Sequence, residues 1–168
     1  MTLAASESQP SLWSLDSAPL ILGGDLSKSV TNAYGTSAGI TKRDYRLLTN
    51  RSVIEVDQDA IDASRIADVG TPGRKPGHQV FAKVERRGDA IVGLFNATTK
   101  LSSSAVSIST TAAAIGLPAD PHGYLVENLW GRQSVAGGRT VYRISSRGHI
   151  EARVPAEGVA LLKVIPLR

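Results

Sequence analysis

The spacing of apolar positions changes character along the chain. In residues 11–26, SLWSLDSAPLILGGDL, the positions Leu12, Trp13 and Leu15 fall near helical spacing, which predicts a short helix with those three on its buried side. Ser6 or Ser8 is the expected cap, with Pro10 inside the first turn, where its ring is tolerated. Pro19 stops the helix, and Ala18 before it is pushed toward extended backbone. Leu20-Ile21-Leu22 then runs apolar without alternation, the pattern of a strand buried on both faces. Gly23-Gly24-Asp25 turns the chain at that strand's carboxyl end, where α/β folds bind ligands. Ser27–Ile40 is polar and glycine-bearing, a loop. Thr41 with Asp44 resembles a capping box and predicts a helix through Tyr45, Leu47 and Leu48. Asn50 ends that helix or caps the next turn, which carries Val53, Ile54 and Val56.

Residues Ala67–Gly77, with Gly70, Pro72, Gly73, Pro76 and Gly77, predict a linker. From Gln79 the period becomes two. Val80, Ala82 and Val84 share one face, while Ile91, Val92, Leu94 and Phe95 put apolar groups on both faces, as a central strand does. Arg87-Gly88-Asp89 between them predicts a hairpin turn. Ala105–Ser109, Tyr124–Trp130, Thr140–Ile144, His149–Val154 and Val159–Val164 complete about seven strands, a spacing suited to a sandwich or small barrel. Ala112–Leu117 predicts one helical turn, stopped by Gly116 and Pro118. The first part of the chain is thus a single αβ step with no partner strands ahead of it, and the second is a complete antiparallel domain.

Composition narrows the function classes. The 168 residues are 42% hydrophobic, enough for a packed core. A net charge of +4 suggests an anionic partner, but the Lys and Arg residues are scattered and aromatics are only 5%. A nucleic-acid surface needs a basic stripe, so no nucleic-acid partner is expected. No apolar run approaches the roughly 20 residues that cross a bilayer. MTLAASESQP lacks the basic and apolar regions of a signal peptide, and the compartment is left unassigned. The absence of cysteine removes disulfides, thiolate metal sites and a Cys nucleophile.

The ordered set Leu12-Trp13, Ala18-Pro19-Leu20, Asp25-Leu26, Leu47-Leu48-Thr49-Asn50, Val53-Ile54 and Val56-Asp57-Gln58-Asp59 resembles the closing segment of glycoside hydrolase family 27, the α-galactosidases (melibiases) and their relatives. Gln79-Val80-Phe81-Ala82-Lys83, Val92-Gly93-Leu94-Phe95-Asn96, Asn128-Leu129-Trp130, Val154-Pro155 and Gly158–Leu162 resemble that family's C-terminal antiparallel domain. The resemblance implies a mainly β fold: a C-terminal antiparallel β-sandwich preceded by the last α-β-α segment of a truncated (β/α)8 barrel. It implies a barrel fragment over residues 1–66, a linker over 67–78 and the sandwich over 79–168. Ser6–Ser17 would be the last-but-one barrel helix, Leu20–Leu22 the eighth strand, and Thr41–Asp59 the final helical segment, docked toward the sandwich. The loop Lys28–Ile40 is longer than the family usually carries, and Ala60-Ile61-Asp62 stands where many members have Pro-Leu-Gly.

By resemblance, the activity is hydrolysis of terminal α-galactosyl, sometimes α-N-acetylgalactosaminyl, groups with retention. That mechanism needs a nucleophilic carboxylate and a carboxylic acid about 5 Å apart. In the family both are aspartates on earlier barrel strands, the nucleophile within Lys-x-Asp. No stretch here matches, so no catalytic residue is carried over, no substrate-binding residue is assigned, and no metal or cofactor is expected. The carbohydrate partner belongs to the full-length protein.

Other residues invite assignment. Asp16 and Asp25 bracket the predicted strand as an acid/base pair, or are turn residues. Asp57 and Asp59 suggest a Ca²⁺ site but lack the loop motif, so helix-end bonding is the expectation. His78, His122 and His149 are too dispersed for a metal. Trp13 is expected in the core; Trp130 is either a sugar platform or a packing residue. Asn50-Arg51-Ser52 and Asn96-Ala97-Thr98 fit the N-glycosylation pattern. The alternative function is a non-catalytic sandwich that binds carbohydrate or protein through Trp130 and Tyr124. On either view, residues 1–60 should be loosely held or packed on the sandwich, because a lone parallel strand leaves its backbone groups unpaired.

Overall fold

The computed structural model describes residues 2–21, 42–59, 77–99, 105–131 and 141–168. Three helices, α1 (Leu3–Leu15), α2 (Lys42–Leu48) and α3 (Arg51–Gln58), precede seven strands. The strands are β1 (His78–Val84), β2 (Ala90–Asn96), β3 (Val106–Thr111), β4 (Tyr124–Asn128), β5 (Val141–Ile144), β6 (His149–Val154) and β7 (Val159–Pro166). A five-stranded sheet runs β1-β2-β7-β4-β5, and β3 pairs with β6 in a second sheet. Every pairing is antiparallel. The chain is therefore mainly β, as its period-two half predicts. β1 begins at His78, inside the expected linker; the rest of that linker, up to residue 76, lies outside the described residues.

β2 and β7 explain the architecture. Ala90, Val92 and Leu94 of β2, with Ala160, Leu162 and Val164 of β7, face one way and meet Ile108, Ile150, Ala152 and Val154 of the smaller sheet. Ile91 and Phe95, with Val159 and Leu161, face the other way and meet Leu15 of α1 and Val53 and Val56 of α3. The large sheet is thus covered on both faces, by β3–β6 on one and by helices on the other. A strand covered on both faces reads apolar throughout, and all seven residues of β2 are buried. Gly93 serves this packing. A Cβ there would lie 2.4 Å from the Phe95 ring and 2.8 Å from Leu15 Cδ1, so glycine leaves the space that α1 fills.

The hairpin falls where Gly88 predicts it, with φ +84° and its N–H bonded to Glu85 O. Ala112–Leu117 forms the expected turn, closed by Leu117 N–H to Ala112 O, with Gly116 at φ +84°.

The N-terminal helix departs from expectation. Thr2, not Ser6 or Ser8, is its cap, accepting from Ala5 N–H, and Pro10 lies in mid-helix. Ser6 and Ser8 instead donate to the carbonyls four residues back. The helix closes before Pro19 in a Schellman motif: Ser17 at φ 47°, Ala18 N–H bonded to Trp13 O and Ser17 N–H to Ser14 O. The buried residues of α1 are Ala4, Ser6, Glu7, Ser11, Ser14 and Leu15. Trp13 stands about 200° around the helix from both Ser11 and Leu15, so it is 43% exposed rather than core. Leu12 is half-buried against the helix-side cluster.

Leu20 and Ile21 form no strand; Ile21 is 84% exposed. A strand is defined by its neighbours, and among the described residues none pairs with these two. Leu22 and the Gly23-Gly24-Asp25 turn lie outside the described residues, as do Thr41 of the capping box and the loop before it. Asn50 does cap α3, its side chain accepting from Val53 N–H at 3.3 Å.

Candidate functional site

The helices are tied to the sandwich by polar side chains. Trp130 Nε1 donates to Ser11 Oγ at 2.9 Å, and Ser11 Oγ donates to Glu7 O at 2.7 Å. Ser8 Oγ donates to Glu157 O at 2.7 Å. Asn50 donates through Nδ2 to Leu129 O at 3.1 Å while its Oδ1 caps α3. These bonds use serines on α1 that let the helix lie close to the sheet.

Lys83 of β1 is the centre of the junction. It is 0% exposed, and its ammonium donates to Ser17 Oγ (2.7 Å), Val56 O (2.8 Å) and Asp59 O (3.0 Å). Val56 and Asp59 are at the carboxyl end of α3, where a cation is favoured by the helix dipole and by unpaired carbonyls. Ser17 also donates to Asp59 O. One side chain therefore joins β1, the end of α1 and the end of α3. Strand alternation alone places Lys83 opposite Ala82, on a face that would meet solvent; the helices cover that face.

A second cluster lies on the same face of the sheet. Lys163 Nζ sits 2.7 Å from Glu85 Oε2 and 3.3 Å from Asp89 Oδ2. Burial works against its charge, but the hydrogen bond and charge of Glu85, joined by those of Asp89, outweigh that and raise its pKa. Burial also raises the Tyr142 pKa; the hydroxyl's bond to Glu151 O opposes the shift and the Glu151 charge adds to it.

The residues singled out from sequence do not converge. Asp16 is exposed at the end of α1, and Asp25 lies outside the described residues. Asp57 Oδ2 accepts from its neighbour Gln58 Nε2 at the end of α3, whereas Asp59 Oδ2 accepts from Arg86 N–H in the turn between β1 and β2. His78 opens β1, His122 lies in a turn and His149 opens β6. Among the described residues no group of three or more His, Cys, Asp or Glu is placed to hold a metal. No helix among them is long and apolar enough to cross a membrane. Trp130 is buried between α1 and the sandwich, so it is a packing residue. Tyr124 is buried too, its hydroxyl donating to Pro118 O and accepting from Asp120 N–H. Asn96, in the second glycosylation pattern, is buried, donating to Val154 O and accepting from Thr98.

A cavity of about 270 Å³ is lined by side chains of the helical segment. Trp13, Leu20, Ile21, Leu47, Ile54 and Ser14 are among the side chains that line it.

The fold defines an antiparallel β-sandwich domain with a helical segment packed on the outer face of its larger sheet. The chain belongs to the alpha galactosidase C-terminal beta sandwich domain family, whose model matches residues 75–164. Among solved structures, α-galactosidase I from Mortierella vinacea is 29% identical, covers 98% of the chain and has a TM-score of 0.70. The α-galactosidase of Saccharomyces cerevisiae is 18% identical over 99% of the chain, with a TM-score of 0.71. A family 27 β-L-arabinopyranosidase from Geobacillus stearothermophilus is 18% identical over 99%, with a TM-score of 0.69. The chain spans only 36%, 44% and 31% of those three proteins. No curated protein matches the sequence.

Proposed function

We propose that this chain supplies the C-terminal, non-catalytic portion of a retaining α-galactosidase-type glycoside hydrolase. Residues 1–66 are then the end of the (β/α)8 barrel, 67–78 the connection and 79–168 the sandwich. The observation that carries the proposal is the reach of the match to α-galactosidase I. It takes in 98% of the chain, helices included, although the family model begins at residue 75. Retaining cleavage uses a carboxylate nucleophile and a carboxylic acid about 5 Å apart. Three of the four buried carboxylates among the described residues have structural work: Glu85 binds Lys163, Asp57 binds Gln58, and Asp120 accepts from His122 and Arg168 N–H. The carbohydrate substrate would thus be turned over by groups outside this chain.

The test is release of nitrophenol from nitrophenyl α-galactoside. The chain alone should give none above background. The same chain joined behind the preceding two-thirds of α-galactosidase I should give turnover. Activity of the chain alone, or an inactive but folded fusion, would defeat the proposal.

A further inference from the structure

A second cavity, of about 360 Å³, belongs to the sandwich, and no residue of α1, α2 or α3 lines it. Its walls come from the β1–β2 hairpin, from residues 116–122 and from the segment that ends β7. Cavities that take small ligands hold roughly 300–1,000 Å³ and are mostly apolar, with a few polar groups that fix orientation. Val84, Leu117, Pro118, Pro121 and Pro166 make the apolar wall here, and Arg168 brings a guanidinium.

The wall is tied together. Asp120 is buried, and its two oxygens accept from His122 N–H at 2.8 Å and Arg168 N–H at 3.1 Å. Its own N–H donates to the Tyr124 hydroxyl, which donates to Pro118 O. Leu167 N–H donates to Gly123 O at 3.1 Å. The turn before β4 and the segment after β7 are therefore held in one piece. The guanidinium is placed too. A Cβ on Gly88 would lie 2.8 Å from Arg168 Nη2, so glycine leaves it room over the hairpin. Nη2 donates to Arg87 O at 3.4 Å, a long bond. Among the described residues no carboxylate forms an ion pair with it. A guanidinium is a fork of N–H donors that matches a carboxylate. The prolines carry no N–H to offer a sugar's hydroxyls.

We propose that this cavity binds a small monocarboxylate with an apolar body, its carboxylate on Arg168 and its body against Val84, Leu117 and Pro166. The site is separate from the helix–sandwich junction and does not depend on the function proposed above.

The experiment titrates the full chain with phenylacetate and follows its amide NMR signals. Saturable changes should be confined to Gly88, residues 116–122 and Arg168. Phenylacetamide keeps the body without the charge, and acetate keeps the charge without the body; each should bind at least tenfold more weakly. Arg168→Gln should bring phenylacetate down to the level of phenylacetamide and leave phenylacetamide as it was. Ala119→Trp, at an exposed position on the rim, should fill the cavity and abolish binding while the signals of β3 and β6 stay in place. Changes that never saturate, or that spread equally to distant arginines such as Arg43 and Arg51, would overturn the inference. So would equal binding of phenylacetamide, or phenylacetate binding indifferent to Arg168→Gln. Should Arg168→Gln unfold the chain, the comparison of the three probes on the parent decides alone.

Discussion

The sandwich and the helical segment are held by different physics. The sandwich is closed by apolar contact: seventeen buried residues form one cluster between its sheets. The helices add a smaller cluster, of which only Leu15, Val53 and Val56 are helical residues buried outright. Much of their attachment is polar: Lys83 to two helix ends, Trp130 to Ser11, Ser8 to Glu157 and Asn50 to Leu129. Apolar burial is non-directional and tolerates small shifts. Hydrogen bonds fix a geometry and fail abruptly when a partner is lost. The sandwich should therefore set global stability, and the junction should set the pose of the helices.

The largest effect should come from the sandwich core. Ile150→Ala empties a fully buried site between the sheets and should cost about 3 kcal/mol. Urea unfolding should show one transition lowered for all elements, because the helices have no sheet to rest on once the strands part. Helices that stay protected from hydrogen exchange while β6 opens would contradict this.

Lys83→Met comes next. It removes the Lys83 ammonium from Val56 O, Asp59 O and Ser17 Oγ, leaving Asp59 O with the Ser17 hydroxyl. Those acceptors lose bonds to a charged group, while the cost of burying the charge disappears. The net loss should be about 2 kcal/mol. Hydrogen exchange should show α1 and α3 opening with β3 and β6 still protected. Uniform loss of protection would mean that the junction is part of the core after all. Ser17 shares in this site: it holds a left-handed backbone at φ 47°, uncommon for a residue with a side chain, and its hydroxyl meets both Lys83 and Asp59.

Asn50→Ala is smaller and cleaner. It removes the cap of α3 and the bond to Leu129 together, and should cost about 1 kcal/mol. Asn50→Asp keeps the cap oxygen and loses the donor. If most of the loss is recovered by Asp, the cap dominates; if not, the tie to the sandwich does.

How far these regions could be read from sequence follows the same division. Five of the seven strands show in the alternation, because a face packed on a second sheet leaves a period of two, while β2 and β7, covered on both faces, show as apolar runs. β2 was legible as a central strand from Ile91, Val92, Leu94 and Phe95 alone. The helical segment was legible only in part. Asn50 marked its cap, but Trp13 was expected in the core because apolar spacing near 3.6 does not say which side is covered. Here half of the buried residues of α1 are serine, and serine carries no apolar signal. Lys83 reads as a solvated residue in an alternating strand until a helix end is known to lie over it. The expected strand at Leu20–Leu22 rests on neighbours that the described residues do not supply. The groove at Trp13 and Ser14 had no local signal, since it is made where α1 meets α2 and α3, which lie far from it in sequence.

The smallest effect tests electrostatics on the sandwich side of the comparison. Lys163 is held between Glu85 and Asp89, across the β1–β2 hairpin. Its side chain is 25% exposed, so solvent screens the pair, and Lys163→Gln should cost about 1 kcal/mol or less at neutral pH. The pH dependence gives the sharper reading. The folded-state pKa lies above the ordinary value of 10.5 because the charged form is favoured by its two carboxylates. Its contribution is then fully present below the unfolded value and is lost as pH rises through the folded one. The stability difference between parent and Lys163→Gln should stay level from neutral pH toward 10 and shrink above it, with added salt reducing it throughout. Taking the difference cancels the other lysines and tyrosines that titrate in that range. Exchange rates in α1 and α3 should not respond, since Lys163 donates to the hairpin and not to the helices. A response there would show that the two regions are coupled through β1, where Lys83 and the hairpin share a strand.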